Sequence, residues 1–144
     1  MIYVLDTDMM SIAELPHSDA YRALHARVAQ LVPEDELVTT IVTYEEQTRG
    51  WMAYAANMRD VSGQIRAYEK LKRHLLKYRD FEVLDFDDAA GQHFERLRKL
   101  KIRSGSADLK IAATTLAVQG VLLTRNLRDF SRVPGLRAED WAAL

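Results

Sequence analysis

Apolar residues along the chain fall into two spacings. Short runs at residues 2–5 (IYVL), 37–42 (LVTTIV), 82–86 (EVLDF), 121–123 (VLL) and a weaker one at 136–138 (LRA) are bounded by polar or turn residues and predict strands. Between them the period lengthens to that of a helix. Leu24, Val28 and Leu31 align within 19–31, and Ile65, Tyr68, Leu71, Leu75 and Tyr78 within 64–78. Leu109, Ala112, Ala113, Leu116 and Ala117 form a stripe within 106–119, which Gly120 ends. Thr43 to Met58, apolar around Trp51, Met52 and Tyr54, reads as a further helix. Strands alternating with helices predict an α/β fold around a mostly parallel sheet, with consecutive helices over roughly 43–59 and 62–79 forming a hairpin beside it.

The acids define the candidate chemistry. In a parallel α/β sheet, ligands bind outside the carboxyl ends of the strands, near the point where strand order reverses. Asp6 follows the first strand, Glu45 and Glu46 open the helix after the second, and Asp129 lies just beyond LLTRN after the fourth. Asp108 stands at the start of a helix leading into that strand, which places it at the same edge. Four remote segments thus direct carboxylates to one place. Crowded carboxylates repel and take up protons unless a cation offsets them. With no Cys and no His in these segments, the donors are oxygens, suited to Mg²⁺ or Mn²⁺ rather than zinc. Such an ion polarises phosphodiesters and activates water.

Each acid also has a purely architectural reading. Asp6 or Asp8 caps the following helix. Thr43-x-x-Glu46 has the spacing of a capping box. Ser106 as a cap with Asp108 in the first turn complements the helix dipole, and Asp129 stabilises a turn after Asn126. Convergence favours the chemical reading.

Composition narrows the class. A chain of 144 residues, 48% hydrophobic and 28% charged, is of ordinary globular make-up, and one domain over 1–144 is expected. The absence of cysteine excludes disulfides and thiol chemistry and fits a cytoplasmic protein. No apolar run approaches a membrane span. A net charge of −1 gives no overall field for nucleic acid. Local basic runs exist at Lys70, Lys72, Arg73, Lys77 and Arg79 and at Arg96, Arg98, Lys99, Lys101 and Arg103, and solvated helix faces are the simpler reading of both.

YVLDTD, TIVTYEEQTRG, ADLKIAATTLAVQGVLLTRNLRDFSRVPGL and the terminal EDW together resemble a PIN domain, more narrowly the VapC-type toxins of bacterial toxin–antitoxin pairs, over Met1 to Trp141. The resemblance implies a three-layer α/β/α, Rossmann-like fold and a Mg²⁺- or Mn²⁺-dependent endoribonuclease, usually dimeric and held inactive by a cognate antitoxin. It assigns the family's first three acids to Asp6, Glu46 (Gly50 fixes the register) and Asp108. The variable fourth position falls on Asn126, and Asp129 is expected to supply the missing carboxylate. The expected metal and catalytic set is therefore Asp6, Glu46, Asp108 and Asp129, with Glu46 orienting or deprotonating the attacking water. Thr124 resembles a position whose hydroxyl supports the cluster. Asp8 replaces a more usual Asn and is expected to support or cap. The implied partners are an RNA substrate, an antitoxin protein and a second copy of the chain. Arg103, Arg125 and Arg128 are candidates for placing phosphates.

Two other readings compete. IYVLDTD also resembles the Asp-x-Asp strand of haloacid-dehalogenase-like phosphatases, in which Asp6 would be nucleophile and Asp8 acid/base; the residue at Met10 departs from that pattern. A non-catalytic binding module on the same fold is the other. His17, His25, His74 and His93 lack metal-ligand spacing, and the aromatic and Met residues of the hairpin are expected mainly to pack against each other, with a groove or dimer surface as the alternative. Trp141 is expected to anchor the C-terminus.

Overall fold

The computed structural model describes residues 1–143. Five strands, β1 (Ile2–Leu5), β2 (Glu36–Thr40), β3 (Glu82–Leu84), β4 (Val121–Leu123) and β5 (Arg137–Glu139), form one sheet. Their spatial order is β3-β2-β1-β4-β5, and every neighbouring pair is parallel. The central strands are buried on both faces, as parallel sheets require. Alternation along them feeds two cores. Val4 and Leu122 point into one, with Leu97, Ile111 and Ala112; Leu5, Val121 and Leu123 point into the other, with Met9, Met10, Leu24 and Trp141.

Helices complete the outer layers. α1 (Thr7–Ile12), α2 (Asp19–Val28), α3 (Ile41–Ala56), α4 (Val61–Arg79), α5 (Asp88–Lys99), α6 (Ser106–Ala117) and α7 (Leu127–Phe130) follow the strands in the order the sequence requires. The result is the expected three-layer α/β/α arrangement with a helical hairpin, α3–α4. α5, which carries Ala90 and Leu97 inward and Arg96, Arg98 and Lys99 outward, was not singled out by apolar spacing because its core face is so narrow.

Several boundaries move for identifiable reasons. β2 stops at Thr40, two residues short of the expected end, because the Thr40 side chain accepts the Thr43 N–H at 3.0 Å and caps α3. At the end of α6 the left-handed residue is Gln119 (φ 54°), not Gly120. Gly120 is needed instead because a Cβ there would lie 2.9 Å from the Ile2 carbonyl oxygen of β1.

The hairpin corrects a packing expectation. α4 turns Gly63, Ala67, His74 and Tyr78 inward, while Ile65, Tyr68 (65% exposed) and Leu75 (59%) face outward, as does Met52 (58%) of α3. Gly63 is required where the chain turns from α3 into α4: a Cβ there would meet the capping Asp60 Oδ1 at 2.7 Å and Met58 Sδ at 3.0 Å. The larger apolar side chains are left on the outside. Trp141 is buried beside Tyr3, with ring centroids 4.7 Å apart.

Candidate active site

The chain runs outward from β1 to β2 and β3, then returns to β4 on the other side of β1, so strand order reverses between β1 and β4. Asp6 leaves the C-terminal end of β1, its N–H bonded to the Leu123 carbonyl of β4 at 3.1 Å. Thr124 leaves the same end of β4, fully buried. The two residues sit across the switch point from each other, and the Thr124 hydroxyl favours the charged form of Asp6. Asp6 also caps α1, accepting the Met9 N–H at 2.8 Å. Its architectural and chemical readings are therefore both present in one carboxylate, only 6% exposed.

Burial is the main reason that the Asp6 carboxyl is pushed up to about 6. The Thr124 hydroxyl and the Met9 N–H oppose the rise, while Asp8 and Asp108 add to it. Asp108, in the first turn of α6, is raised too, first by burial and then by the charges of Glu46 and Asp129. Thus Asp6 feels Asp108, and Asp108 feels Glu46 and Asp129. All four expected acids come within electrostatic reach at one sheet edge. Glu45 diverges: it is exposed and pairs with Arg49 at 2.9 Å.

Glu46 is not part of a capping box, because Thr40 takes the cap of α3 and leaves Glu46 in the helix's second turn. Its Oε1 instead accepts the Thr7 hydroxyl at 2.5 Å. The Thr7 and Thr43 hydroxyls are 3.4 Å apart, and Thr43 lies 3.2 Å from Thr40, so a file of hydroxyls ends on this carboxylate. Gln47, the next residue, ties the same helices together. Its Nε2 donates to the Thr7 carbonyl (3.3 Å) and Ser11 (3.0 Å), and its Oε1 accepts from Tyr78 at 2.6 Å. Thr7, Thr43 and Gln47 were not read as supports of the site. The threonines in DTD and VTTIVT were the available signal, masked by their β propensity and cap spacing.

Asp129 Oδ2 accepts from Asn126 Nδ2 at 3.0 Å, and the Asn126 N–H donates to Thr124 at 3.0 Å. The residue at the variable fourth position thus orients the neighbouring acid. Ser106 does not cap α6; Gly105 occupies that position without a side-chain bond. Asp8 is no cap either. Both of its oxygens accept from Arg125, at 2.6 and 2.7 Å. That engagement leaves Asp8 without the free carboxylate a dehalogenase-type acid/base needs. The side chains of Arg103 and Arg128 are exposed. Of the histidines, His17 and His25 are exposed and His74 is buried.

The donor set fits a hard dication by its chemistry: all-oxygen and anionic, with Asp6 and Asp108 holding a proton more readily than usual. Among the described residues, no three His, Asp or Glu side chains are grouped closely enough to hold a metal ion as they stand.

The PIN domain profile matches residues 3–136. The chain belongs to the PIN domain family. Over 145 aligned residues, covering 98% of each chain, this PIN domain is 30% identical to Ribonuclease VapC1 of Haemophilus influenzae strain R2866. It superposes on VapBC-1 from nontypeable H. influenzae with a TM-score of 0.71 and 30% identity, over 99% of this chain and 100% of the other. VapBC-5 of Mycobacterium tuberculosis, a member of the VapBC family of toxin–antitoxin systems, shares the fold, with a TM-score of 0.57 and 23% identity over 96% of each chain. No described helix is long and apolar enough to cross a membrane.

Proposed function

We infer that this PIN domain is a VapC-type ribonuclease that hydrolyses internal phosphodiester bonds of RNA with Mg²⁺ or Mn²⁺. The observation that carries the reading is the placement of Asp6, Glu46, Asp108 and Asp129 at the carboxyl edge of the sheet beside the switch point, where burial and neighbouring acids raise the Asp6 and Asp108 carboxyls. Its full-length kinship with a protein named as a ribonuclease supports the substrate class.

Asp6, Asp108 and Asp129 are the residues that would hold the ion. When bound, it supplies Lewis-acid polarisation of the phosphodiester and favours deprotonation of water. Glu46 is the base. Thr7 occupies one of its oxygens, which fixes the carboxylate's orientation, and the other takes the proton from the attacking water. Water oxygen bonds to phosphorus as the bond to a ribose oxygen breaks, and that departing oxygen takes up a proton. Thr124 favours the charged form of Asp6, and Asn126 holds Asp129 in place. Because water is the nucleophile, the ribose 2′-hydroxyl is not consumed, and preference for RNA rests on contacts along the strand.

The partners assigned on this reading are an RNA substrate, an antitoxin protein and a second copy of the chain. The test is cleavage of end-labelled RNA with Mg²⁺, Mn²⁺ or EDTA, alongside a chromogenic phosphomonoester. Internal cuts that need the metal and vanish in Asp6→Asn and Asp108→Asn are expected. Turnover of the monoester alone would overturn the assignment.

A further inference from the structure

We propose that Arg125, held in place by Asp8, is the residue that grips a phosphate of the substrate strand beside the acids at the carboxyl edge of the sheet, with Asp8 acting as its positioning residue. The inference rests on the ribonuclease reading and extends it to how the strand is held.

The pair joins residues 117 positions apart in sequence. Asp8 lies two residues beyond Asp6, whose N–H bonds the Leu123 carbonyl of β4, and Arg125 lies two residues beyond Leu123. The bridge therefore spans the two strand ends between which the acids gather. Arg125 is stabilised in its charged form mainly by Asp8, with smaller contributions from Asp140 and Asp6, so its guanidinium lies in the field of Asp6.

Donor counting shows what this geometry leaves available. A guanidinium carries five N–H donors. Asp8 accepts from Nε and from one hydrogen of Nη2. Both hydrogens of Nη1 and the second of Nη2 have no protein partner among the described residues. That remaining edge is a second fork, and a phosphodiester presents two anionic non-bridging oxygens that match it. The side chains are half exposed, 51% for Arg125 and 44% for Asp8, so a strand can reach them. An ion pair this exposed adds little to folding stability.

The chemistry also supplies a need. Four carboxylates at one sheet edge repel a polyanion, and a fixed cation beside them offsets that repulsion while setting the register of the strand. Other arginines are committed elsewhere: Arg49 to Glu45, Arg98 to Glu95, Arg27 to Glu139. The Arg103 and Arg128 side chains have no fixing partner among the described residues. Arg125 alone of the three sequence candidates is both oriented and adjacent to Asp6.

The test is steady-state cleavage of a short fluorogenic RNA in Mg²⁺ across 50 to 200 mM NaCl. Arg125→Ala is expected to raise KM about tenfold with kcat changed less than about threefold, and to make the dependence of log KM on log salt shallower by about 0.7, the loss of one phosphate contact on a single strand. Arg125→Lys is expected to restore the salt slope, because charge remains, but only part of KM, because the fork is gone. Asp8→Asn keeps the slope and raises KM a few-fold. Melting temperatures should move by less than about 2 °C. If Arg125→Ala does not fold, the Arg125→Gln and Arg125→Lys pair decides on the same slope. Unchanged KM and slope in the neutral variant, while wild type cleaves and Asp6→Asn does not, overturn the inference and leave the nuclease reading standing. A wild type that cleaves no RNA with either metal overturns both.

Discussion

The Thr7 hydroxyl donates to Glu46 at 2.5 Å, tying the first residue of α1 to the second turn of α3. The bond fixes the carboxylate assigned as base without itself meeting the substrate. Thr7→Val, nearly isosteric, is expected to lower kcat about tenfold, in the range seen when outer partners of a site are removed. Thr7→Ser should recover most of it. Single-turnover cleavage rates measure both, and a Val variant as fast as wild type removes Thr7 from the account.

Asp6 carries a stability penalty for its position. Its carboxyl is raised from 3.8 to about 6, so the folded protein binds this proton more tightly than the unfolded chain. In metal-free protein the penalty is absent below about pH 4, grows as pH rises, and is complete above about pH 6, where it amounts to about 2–3 kcal/mol. Asp6→Asn retains a helix cap and removes the charge. It should melt several degrees above wild type in EDTA at pH 7.5 and at nearly the same temperature at pH 4. Equal melting of the two proteins at both pH values would falsify this.

His74 acts in the opposite sense. Its ring is buried, Nε2 lies 2.8 Å from Thr48 Oγ1, Nδ1 has no partner among the described residues, and the plane stacks on Tyr44. Burial, then Lys77, lowers its affinity for a proton below the ordinary value of 6.5, with Glu14 opposing. The unfolded chain takes up the proton first, so this contribution is full above about pH 6.5 and lost as pH falls below it. His74→Phe keeps the stacking and should flatten the decline of melting temperature between pH 7 and 5, read as the difference from wild type at each pH.

Gly120→Ala places a methyl group 2.9 Å from the Ile2 carbonyl, between β4 and the central strand. Backbone must shift to accept it, and a loss of about 1–3 kcal/mol is expected in urea unfolding. Gly50→Ala, with nothing within 4 Å of the added carbon, is the control and should not destabilise.

Ile65, Tyr68 and Leu75 leave an exposed apolar face on α4. If a second copy of the chain covers it, Tyr68→Asp should convert a dimer to a monomer in sedimentation while leaving the far-UV spectrum unchanged. A dimer that survives the substitution places the contact on another face.

Strand runs and the edge to which Asp6, Glu46, Asp108 and Asp129 belong were legible in the sequence, because strand ends and helix starts are local features and parallel topology sends them to one side. Which hydrogen bonds each acid makes was not. Thr43-x-x-Glu46 has ordinary cap spacing, and only the observed cap, Thr40, releases Glu46 from that role, whereas Asp108 stays in the first turn of α6 with Gly105, not Ser106, as its cap. Apolar spacing likewise marked the α4 stripe but could not tell which flank meets α3. Ala67 prevails there because helices approach most closely where side chains are smallest.

By itself the amino-acid order determined the alternation of strands and helices, the oxygen-only donor set and the family pattern, since all three depend on residue type and short spacing. Tertiary structure decided that Asp6 rather than Asp8 caps α1, that Thr7 grips Glu46, and that Asp8 and Arg125 meet across 117 residues. Those outcomes follow from which strand ends the sheet brings together, and hydrogen bonds form only between groups that folding has placed within about 3 Å of each other.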